Sequence, residues 1–287
     1  MDVRPSPIAG KWYPLNATEL RCDLDRFLEQ APVADALQNV CGLIVPHAGI
    51  RYSGPVAAHA FRQAVRCVPQ VVVIIGPMHR PQAPLTTSAH DAYQTPLGNI
   101  PLDRNRLQEL DRCLRTRLGI GLIPIERDQE HSLEMELPFL QRVLDQFSLM
   151  PIMMADQSRK VAEALGHALA EVIGNTPVLL VASTDLSHFY SQADALNLDS
   201  EMLRRIERFD PCAVLEAEDA GKAFACGRGA VAAVLWAARD LGANRVSILN
   251  YSTSGDVTGD THSVVGYGAA AVWQDQQANT DHRFVSV

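Results

Sequence analysis

The chain has 287 residues, of which 47% are hydrophobic and 20% charged, a composition typical of soluble globular proteins of one or two domains. Its net charge of −8 argues against general nucleic-acid binding, which requires a basic surface. No apolar stretch approaches the roughly 20 residues that span a bilayer, and no signal peptide is evident. Six scattered cysteines without a C-x-x-C pair indicate free thiols in a reducing compartment, so we expect a cytoplasmic protein with no membrane partner.

The first third of the chain alternates between predicted helices and strands. Residues 1–17 carry proline and glycine at intervals, which predicts an extended arm. A capping pattern and leucines at helical spacing predict a helix over 18–30. Two apolar runs, 41–45 and 71–75, predict buried strands. The helix between these strands, which we expect to begin after Ser53, completes a β-α-β unit.

The rest of the chain continues this alternation. In chain order we predict a hairpin at 80–102, a helix at 103–114, a helix within 126–147 that carries residues 130–134 and continues to Leu144, a strand at 149–154, a helix at 158–173, a strand at 178–183, helices at 194–207, 211–218 and 226–241, and strands at 246–251 and 264–273. Residues 274–287 form a polar tail. Because neither a repeat nor a linker interrupts the pattern, residues 1–287 are predicted to form a single α/β domain.

Histidines follow two of the predicted strands, at the point where each strand ends. His47 and His79 each come after an apolar run and a proline, which stiffens the backbone that presents them. A third strand is followed by Asp185 and His188. Because the carboxyl ends of parallel strands share one edge of a sheet, we expect these side chains to lie close together. The sequence therefore predicts a metal site that uses His47 and His79.

The residues alone leave the third metal ligand open. The candidates are Asp185, Glu134, Cys226 and His131. A carboxylate would complete the facial triad of non-haem Fe(II) oxygenases. A thiolate at Cys226 would be favoured by the start of the following helix and by Arg228. A Ser-His-Asp hydrolase at Ser187 is poorly supported because the chain lacks a G-x-S-x-G elbow.

Six short motifs follow one another along nearly the whole chain. They are the opening from Arg4-Pro5 to Trp12-Tyr13-Pro14, Pro46-His47-Ala48-Gly49 with Tyr52-Ser53-Gly54, Gly76-Pro77-Met78-His79, Glu130-His131-Ser132-Leu133-Glu134, Ser183-Thr184-Asp185-Leu186-Ser187-His188 and Cys226-Gly227-Arg228. Together they resemble the Memo family, whose bacterial and archaeal members are called AmmeMemoRadiSam system protein B.

The resemblance implies both a fold and a site. The fold is a three-layer α/β/α sandwich around a central mixed, mostly parallel sheet, similar to class III extradiol dioxygenases. The site is an iron or copper ion bound by His47, His79 and Cys226, with His188 in the position of the acid/base histidine of those dioxygenases. The dioxygenases have a glutamate where this chain has Cys226, and the softer thiolate favours copper(I) or redox iron.

We therefore predict a metal-dependent redox enzyme of unknown substrate. In it His188 moves protons, held by Asp185 or a neighbouring carboxylate, with His131 beside it. The predicted pocket residues are Tyr52, Glu134, Arg228 and Tyr251.

Two alternatives remain at this stage. One is a non-enzymatic protein whose cleft binds metal or a phosphorylated or acidic peptide through Arg51, Arg80 and Arg228. A weaker one is a thiol- or metal-dependent hydrolase that uses Cys226 with His188. The resemblance also implies a functional link to a radical-SAM protein and an AMMECR-type protein.

Overall fold

The computed structural model describes residues 2–34 and 37–276. The helices in these ranges are α1 Ala17–Gln30, α2 Ile50–Phe61, α3 Arg104–Leu118, α4 Leu137–Val143, α5 Arg159–Ile173, α6 Gln192–Glu207, α7 Pro211–Asp219, α8 Arg228–Asp240 and α9 Ser254–Thr258. The strands are β1 Val3–Arg4, β2 Val40–Val45, β3 Val71–Pro77, β4 Leu85–Ser88, β5 Ala92–Thr95, β6 Gly98–Pro101, β7 Ile123–Ile125, β8 Ser148–Met154, β9 Val178–Ser183, β10 His188–Tyr190, β11 Arg245–Thr253 and β12 Val264–Trp273.

The centre of the large sheet is parallel and its two flanks are mixed. Strands β2, β9, β3 and β8 lie side by side in this order and are parallel. On one flank, β12 pairs antiparallel with β2, β10 and β11. On the other, β4 pairs antiparallel with β8 and parallel with β7. The predicted α/β fold with a mixed sheet is confirmed, and "mostly parallel" holds for its central strands.

Helices cover both faces of this sheet. Every residue of β3 is buried, which requires packing on each side of the strand. Helix α2 packs on β2 and β12 and contacts α1 and α4, whereas α8 packs on β9, β3 and β2 and contacts α5 and α7. The amphipathic spacing of α5 explains its place, because Val161, Leu165 and Leu169 are buried.

The N-terminal arm joins a second, smaller sheet. Val3 and Arg4 pair in parallel with β5, and β5 forms the predicted hairpin with β6. The arm then runs to α1, where Asn16 accepts hydrogen bonds from the backbone N–H groups of Thr18 and Glu19. Most of the predicted polar tail, from residue 277 onwards, lies outside the described residues.

Two predicted helices have different boundaries in the structure. The predicted helix within 126–147 is wrong for residues 130–133, since helical structure begins with a single 3₁₀ turn at Glu134–Glu136 and continues to the end of α4, close to the predicted Leu144. Carboxylates in the preceding loop accept its backbone N–H groups and so compete with helical hydrogen bonds. Helix α2 begins three residues before Ser53, whose hydroxyl donates to the Ala48 carbonyl.

Among the described residues, the helices lack the length and apolar character needed to cross a bilayer.

Candidate metal centre

Neighbouring strands deliver the candidate residues to one edge of the sheet. His47 lies two residues after β2, and His79 lies two residues after β3. Strand β9 runs between them, and its last residue, Ser183, pairs in register with Val45. Because β2, β9 and β3 are parallel, their carboxyl ends meet. Cys226 reaches the same edge from the loop that precedes α8.

The three predicted ligands converge. Ligand atoms of His47, His79 and Cys226 all lie within 4.8 Å of one another. Nε2 of His47 is 3.4 Å from Sγ of Cys226. The His47 and His79 rings lie edge to face, with their centroids 5.3 Å apart. Two imidazoles and a cysteine form a donor set that suits a transition metal.

Glu130 holds His79 in the orientation that a ligand needs. Its Oε1 lies 2.9 Å from His79 Nδ1, which leaves the other ring nitrogen, Nε2, free. Its carboxylate also accepts the backbone N–H groups of His79, His131 and Ser132. Burial alone would raise the pKa of Glu130, but these hydrogen bonds and nearby imidazoles lower it to about 2. Glu130 is therefore ionised.

His47 is held from behind by a hydroxyl. Its Nδ1 lies 2.8 Å from Ser183 Oγ, so Nε2 is the nitrogen that faces the cluster. The ring is fully buried, and this burial lowers the pKa of His47 well below its usual value. A neutral imidazole is the form that binds a metal ion.

Cys226 is a protonated thiol in this environment. Burial, reinforced by the nearby Asp185, raises the pKa of Cys226 well above its usual value. The expected support for a thiolate from Arg228 is absent, because the Arg228 guanidinium lies 2.7 Å from Asp219. Such a thiol becomes a ligand by releasing its proton when a metal binds. The same burial disfavours the activated nucleophile that a thiol hydrolase requires.

Gly227 lets the Cys226 loop come this close to the sheet. A Cβ atom on Gly227 would lie 2.4 Å from the Ser183 carbonyl oxygen and 2.9 Å from the Thr184 Cβ. The loop can therefore pack directly on the end of β9, where the Asp185 N–H donates to Cys226 Sγ at 3.2 Å.

The three predicted catalytic residues lie around this cluster, but Asp185 does not hold His188. The Nδ1–H of His188 donates to the Leu186 carbonyl at 2.8 Å. Asp185 instead accepts the backbone N–H of His47 at 2.8 Å, and burial raises its pKa to about 7. His131 stacks on His79 at 4.5 Å, and burial lowers its pKa to about 4.

The predicted pocket residues lie at separate positions. Tyr52 is half-buried in the first turn of α2. Tyr251 donates to Asp199 at 2.8 Å, and Arg228 pairs with Asp219 as described above. Glu134 is fully buried, where it pairs with Arg4 and accepts a hydrogen bond from Tyr13 at 2.7 Å. Glu134 therefore anchors the N-terminal arm.

A cleft opens beside His79 and His131. It is a cavity of about 450 Å³, and the side chains that line it include Ile8, Lys11, Trp12, Arg80 and Arg127. Trp12 packs on His131 with ring centroids 4.2 Å apart, so the arm forms one wall. A larger cavity of about 590 Å³ lies near the amino ends of β2 and β9, but its described lining contains no histidine or carboxylate.

Comparisons with known proteins agree with one another. The family model described as "Memo-like protein" matches residues 4–271. A MEMO1 family protein of Thermotoga maritima is 39% identical over 282 residues, covering 94% of this chain and 99% of that protein. One of Methanosarcina mazei is 35% identical over 275 residues, covering 95% and 100%. The chain belongs to the Memo family.

A solved structure of an uncharacterised Escherichia coli K12 protein resembles this Memo-family protein with a TM-score of 0.52. It is 14% identical and covers 80% of this chain and 99% of that one, so the likeness concerns the fold alone. The family-model match and the two relatives confirm the resemblance to the Memo family. The metal, the partners, the cytoplasmic location and the single-domain organisation stay predictions.

Four residues around the cluster lie outside the predicted set of site residues, although the pairing of Glu130 and Glu134 with His131 in the sequence does suggest that a carboxylate orients an imidazole. Glu130 and Trp12 contact the histidines directly, whereas Ser183 and Glu136 lie behind His47. Glu130 precedes His131 in one of the six motifs, and Ser183 ends a predicted strand, so the sequence pattern indicates that both residues lie near the site. Trp12 stands in the opening motif, but its contact with His131, like that of Glu136 with Ser183, joins distant segments and could not be predicted from local sequence.

Proposed function

We propose that this Memo-family protein is a metal-dependent redox enzyme that binds iron or copper through His47, His79 and Cys226. The observation that carries the proposal is the convergence of these three ligand atoms within 4.8 Å. Both imidazoles have Nδ1 engaged from behind, which leaves Nε2 as the nitrogen for the metal, and this is how ligand histidines are normally held. Three protein ligands also leave a coordination position for an exchangeable group, as catalytic sites require.

The residues around the cluster support a catalytic role. A bound iron or copper ion would supply electron transfer at this position. Because His188 donates Nδ1–H to the Leu186 carbonyl, its Nε2 is free to accept or return a proton when the ring is neutral. Burial lowers the pKa of His188, which favours that neutral form. The cleft between Trp12 and Arg80 gives a substrate access to His79 and His131.

Metal analysis tests the proposal. We expect protein purified without oxygen to contain about one iron or copper ion per chain. The combined change His47→Ala, His79→Ala and Cys226→Ala should abolish this content, while a matched triple change at His59, His167 and Cys22 should not. Metal retained by the first variant would contradict the site. Zinc in place of iron or copper would leave the site intact and contradict the redox function.

The charges of the cleft favour a second candidate, the binding of a phosphorylated or acidic peptide. Lys11, Arg80 and Arg127 line the cavity. Ion pairs engage many arginines of the described segments, but not Arg80 or Arg127, so both guanidinium groups are free to contact an anion. Peptide affinity that survives both chelation and the His188→Ala change would identify the cleft as a recognition site. Turnover of a small substrate only in the presence of metal would identify an enzyme.

A further inference from the structure

A buried chain of polar side chains runs away from the back of His47. Ser183 Oγ lies 2.8 Å from His47 Nδ1 and 2.7 Å from Glu136 Oε1. The same hydroxyl lies 2.6 Å from the backbone carbonyl oxygen of Ser132. The side chains of His47, Ser183 and Glu136 are each at most 1% exposed. One hydroxyl therefore has three close polar neighbours and no room for solvent.

Counting hydrogens determines which group donates in each bond. A serine hydroxyl has one proton to donate and accepts with its lone pairs. The Ser132 carbonyl can only accept, so it takes the Ser183 proton. The other two neighbours must then donate to Ser183 Oγ. This places a proton on Glu136 Oε1 and another on His47 Nδ1.

The surroundings of Glu136 agree with a neutral acid. Its second oxygen, Oε2, is buried and makes no hydrogen bond within the part of the chain that the structure describes. An ionised carboxylate with one unsolvated oxygen would be very costly at this depth, whereas the carbonyl oxygen of a neutral acid costs much less. Burial also raises the pKa of Glu136 well above its usual value.

We propose that Glu136 is a neutral carboxylic acid that donates to Ser183 and so fixes His47 as the Nδ1–H tautomer, with Nε2 presented to Cys226. Without this donor, the Ser183 proton could turn towards either the Ser132 carbonyl or His47 Nδ1. His47 would then also populate the Nε2–H tautomer, which cannot bind a metal ion through Nε2, the nitrogen that faces the cluster. Glu136 is thus a positioning residue. Its consequence for metal affinity rests on the proposed function, whereas the tautomer itself does not.

The protonation states can be tested in metal-free protein, separately from any metal site. Infrared difference spectra of wild type against Glu136→Gln at neutral pH should show the carbonyl band of one protonated carboxyl group, lost in the variant. Nitrogen NMR of the histidine side chains should show His47 protonated at Nδ1 and bare at Nε2. Difference spectra that show the band of an ionised carboxylate instead, or an NMR spectrum that shows a proton on Nε2 of His47, would overturn the inference whatever the metal content.

Metal affinity tests the positioning role. A glutamine amide can still donate to Ser183, so Glu136→Gln should bind iron or copper within about threefold of wild type. Glu136→Leu and Ser183→Ala each break the chain and should bind about 10-fold to 100-fold more weakly, the usual range for such partners. The control Phe139→Leu lies in α4, three residues after Glu136. It disturbs the ring stack with Phe61 of α2 and should leave affinity unchanged.

Tenfold weakening in Glu136→Gln with full affinity in Glu136→Leu would overturn the role. If Glu136→Leu fails to fold, the Gln and Ser183→Ala variants and the wild-type NMR spectrum still decide. Loss of metal from wild type itself would instead count against the proposed function.

Discussion

At the scale of single residues, one carboxylate organises two histidines. Glu130 lies 2.9 Å from Nδ1 of His79 and 3.2 Å from Nδ1 of His131. It also accepts three backbone N–H groups. The hydrogen bonds from the His79 ring and from the three backbone N–H groups each require an acceptor, which an ionised carboxylate offers at both oxygens. Glu130 therefore positions His79 and shapes the loop that carries His131 at the same time.

Replacing Glu130 by glutamine should weaken metal binding. The amide nitrogen would face an N–H donor, and the remaining oxygen could not satisfy all the groups that Glu130 now accepts. We expect iron or copper affinity to fall about 10-fold to 100-fold, measured by competition with a chelator of known affinity. Glu126→Gln, an equal charge change at an exposed position of the same loop, is the control. Equal affinities in both variants would show that Glu130 does not position His79.

At the scale of elements, the N-terminal arm and the loop between β7 and the 3₁₀ turn depend on each other. Arg4 Nε lies 2.6 Å from Asp128, and Arg4 Nη2 donates to the Glu130 carbonyl at 2.8 Å. Asp128 in turn accepts the Glu130 N–H at 2.8 Å. The buried Arg4–Asp128 ion pair thus binds both the carbonyl and the N–H group of Glu130. Because the partners are more than a hundred residues apart, local pattern suggested a helix where long-range pairing imposes a loop.

Removing the Arg4 side-chain charge should destabilise the fold strongly. Arg4→Met leaves Asp128 and Glu134 buried without their partner, which costs about 3–5 kcal/mol for interior pairs. Arg4→Lys keeps the charge but cannot reach Asp128, Glu134 and the Glu130 carbonyl together, so it should lose less stability and still speed amide exchange at Glu130. Urea unfolding and hydrogen exchange measure the two effects.

The control for the arm is a surface ion pair. Arg159 lies 3.5 Å from Glu163 and is 59% exposed, so Arg159→Met should change the free energy of unfolding by less than about 1 kcal/mol. A loss in Arg4→Met no larger than in Arg159→Met would show that the buried network does not stabilise the arm.

At the scale of the whole molecule, the sequence was informative about the sheet and less so about the site. Apolar, β-branched runs marked β2, β3 and β9, so the strand ends that carry His47 and His79 could be predicted. The hydrogen bonds that orient His47 could not be predicted. Ser183 reaches His47 only because β2 and β9 pair in a particular register, and Glu136 reaches Ser183 only across the fold. Registers and distant contacts leave no local pattern to read.

The pH dependence of overall stability contains opposing contributions. In the metal-free protein, burial lowers the pKa of His131 from 6.5 to about 4. The unfolded chain then binds more protons between these values, so His131 makes stability rise with pH. Glu130, with its pKa lowered from 4.5 to about 2, adds to the rise at lower pH. Asp185 acts in the opposite direction, because burial raises its pKa from 3.8 to about 7.

The Asp185→Asn change should isolate that opposing contribution. Between pH 3.8 and about 7 the folded protein binds the Asp185 proton more tightly than the unfolded chain, so wild type loses stability as the pH rises through this window. Asparagine does not titrate, and its oxygen can still accept the His47 N–H. The free energy of unfolding of the variant relative to wild type should therefore increase from pH 4 to pH 7, by up to roughly 4 kcal/mol at about 1.36 kcal/mol per pKa unit. Urea unfolding of metal-free protein across this range measures it, with Asp23→Asn as the control for loss of a surface carboxylate. Parallel curves for wild type and Asp185→Asn would mean that the pKa of Asp185 is not raised on folding, because the His47 and Ala48 N–H groups stabilise its ionised form as much as burial opposes it.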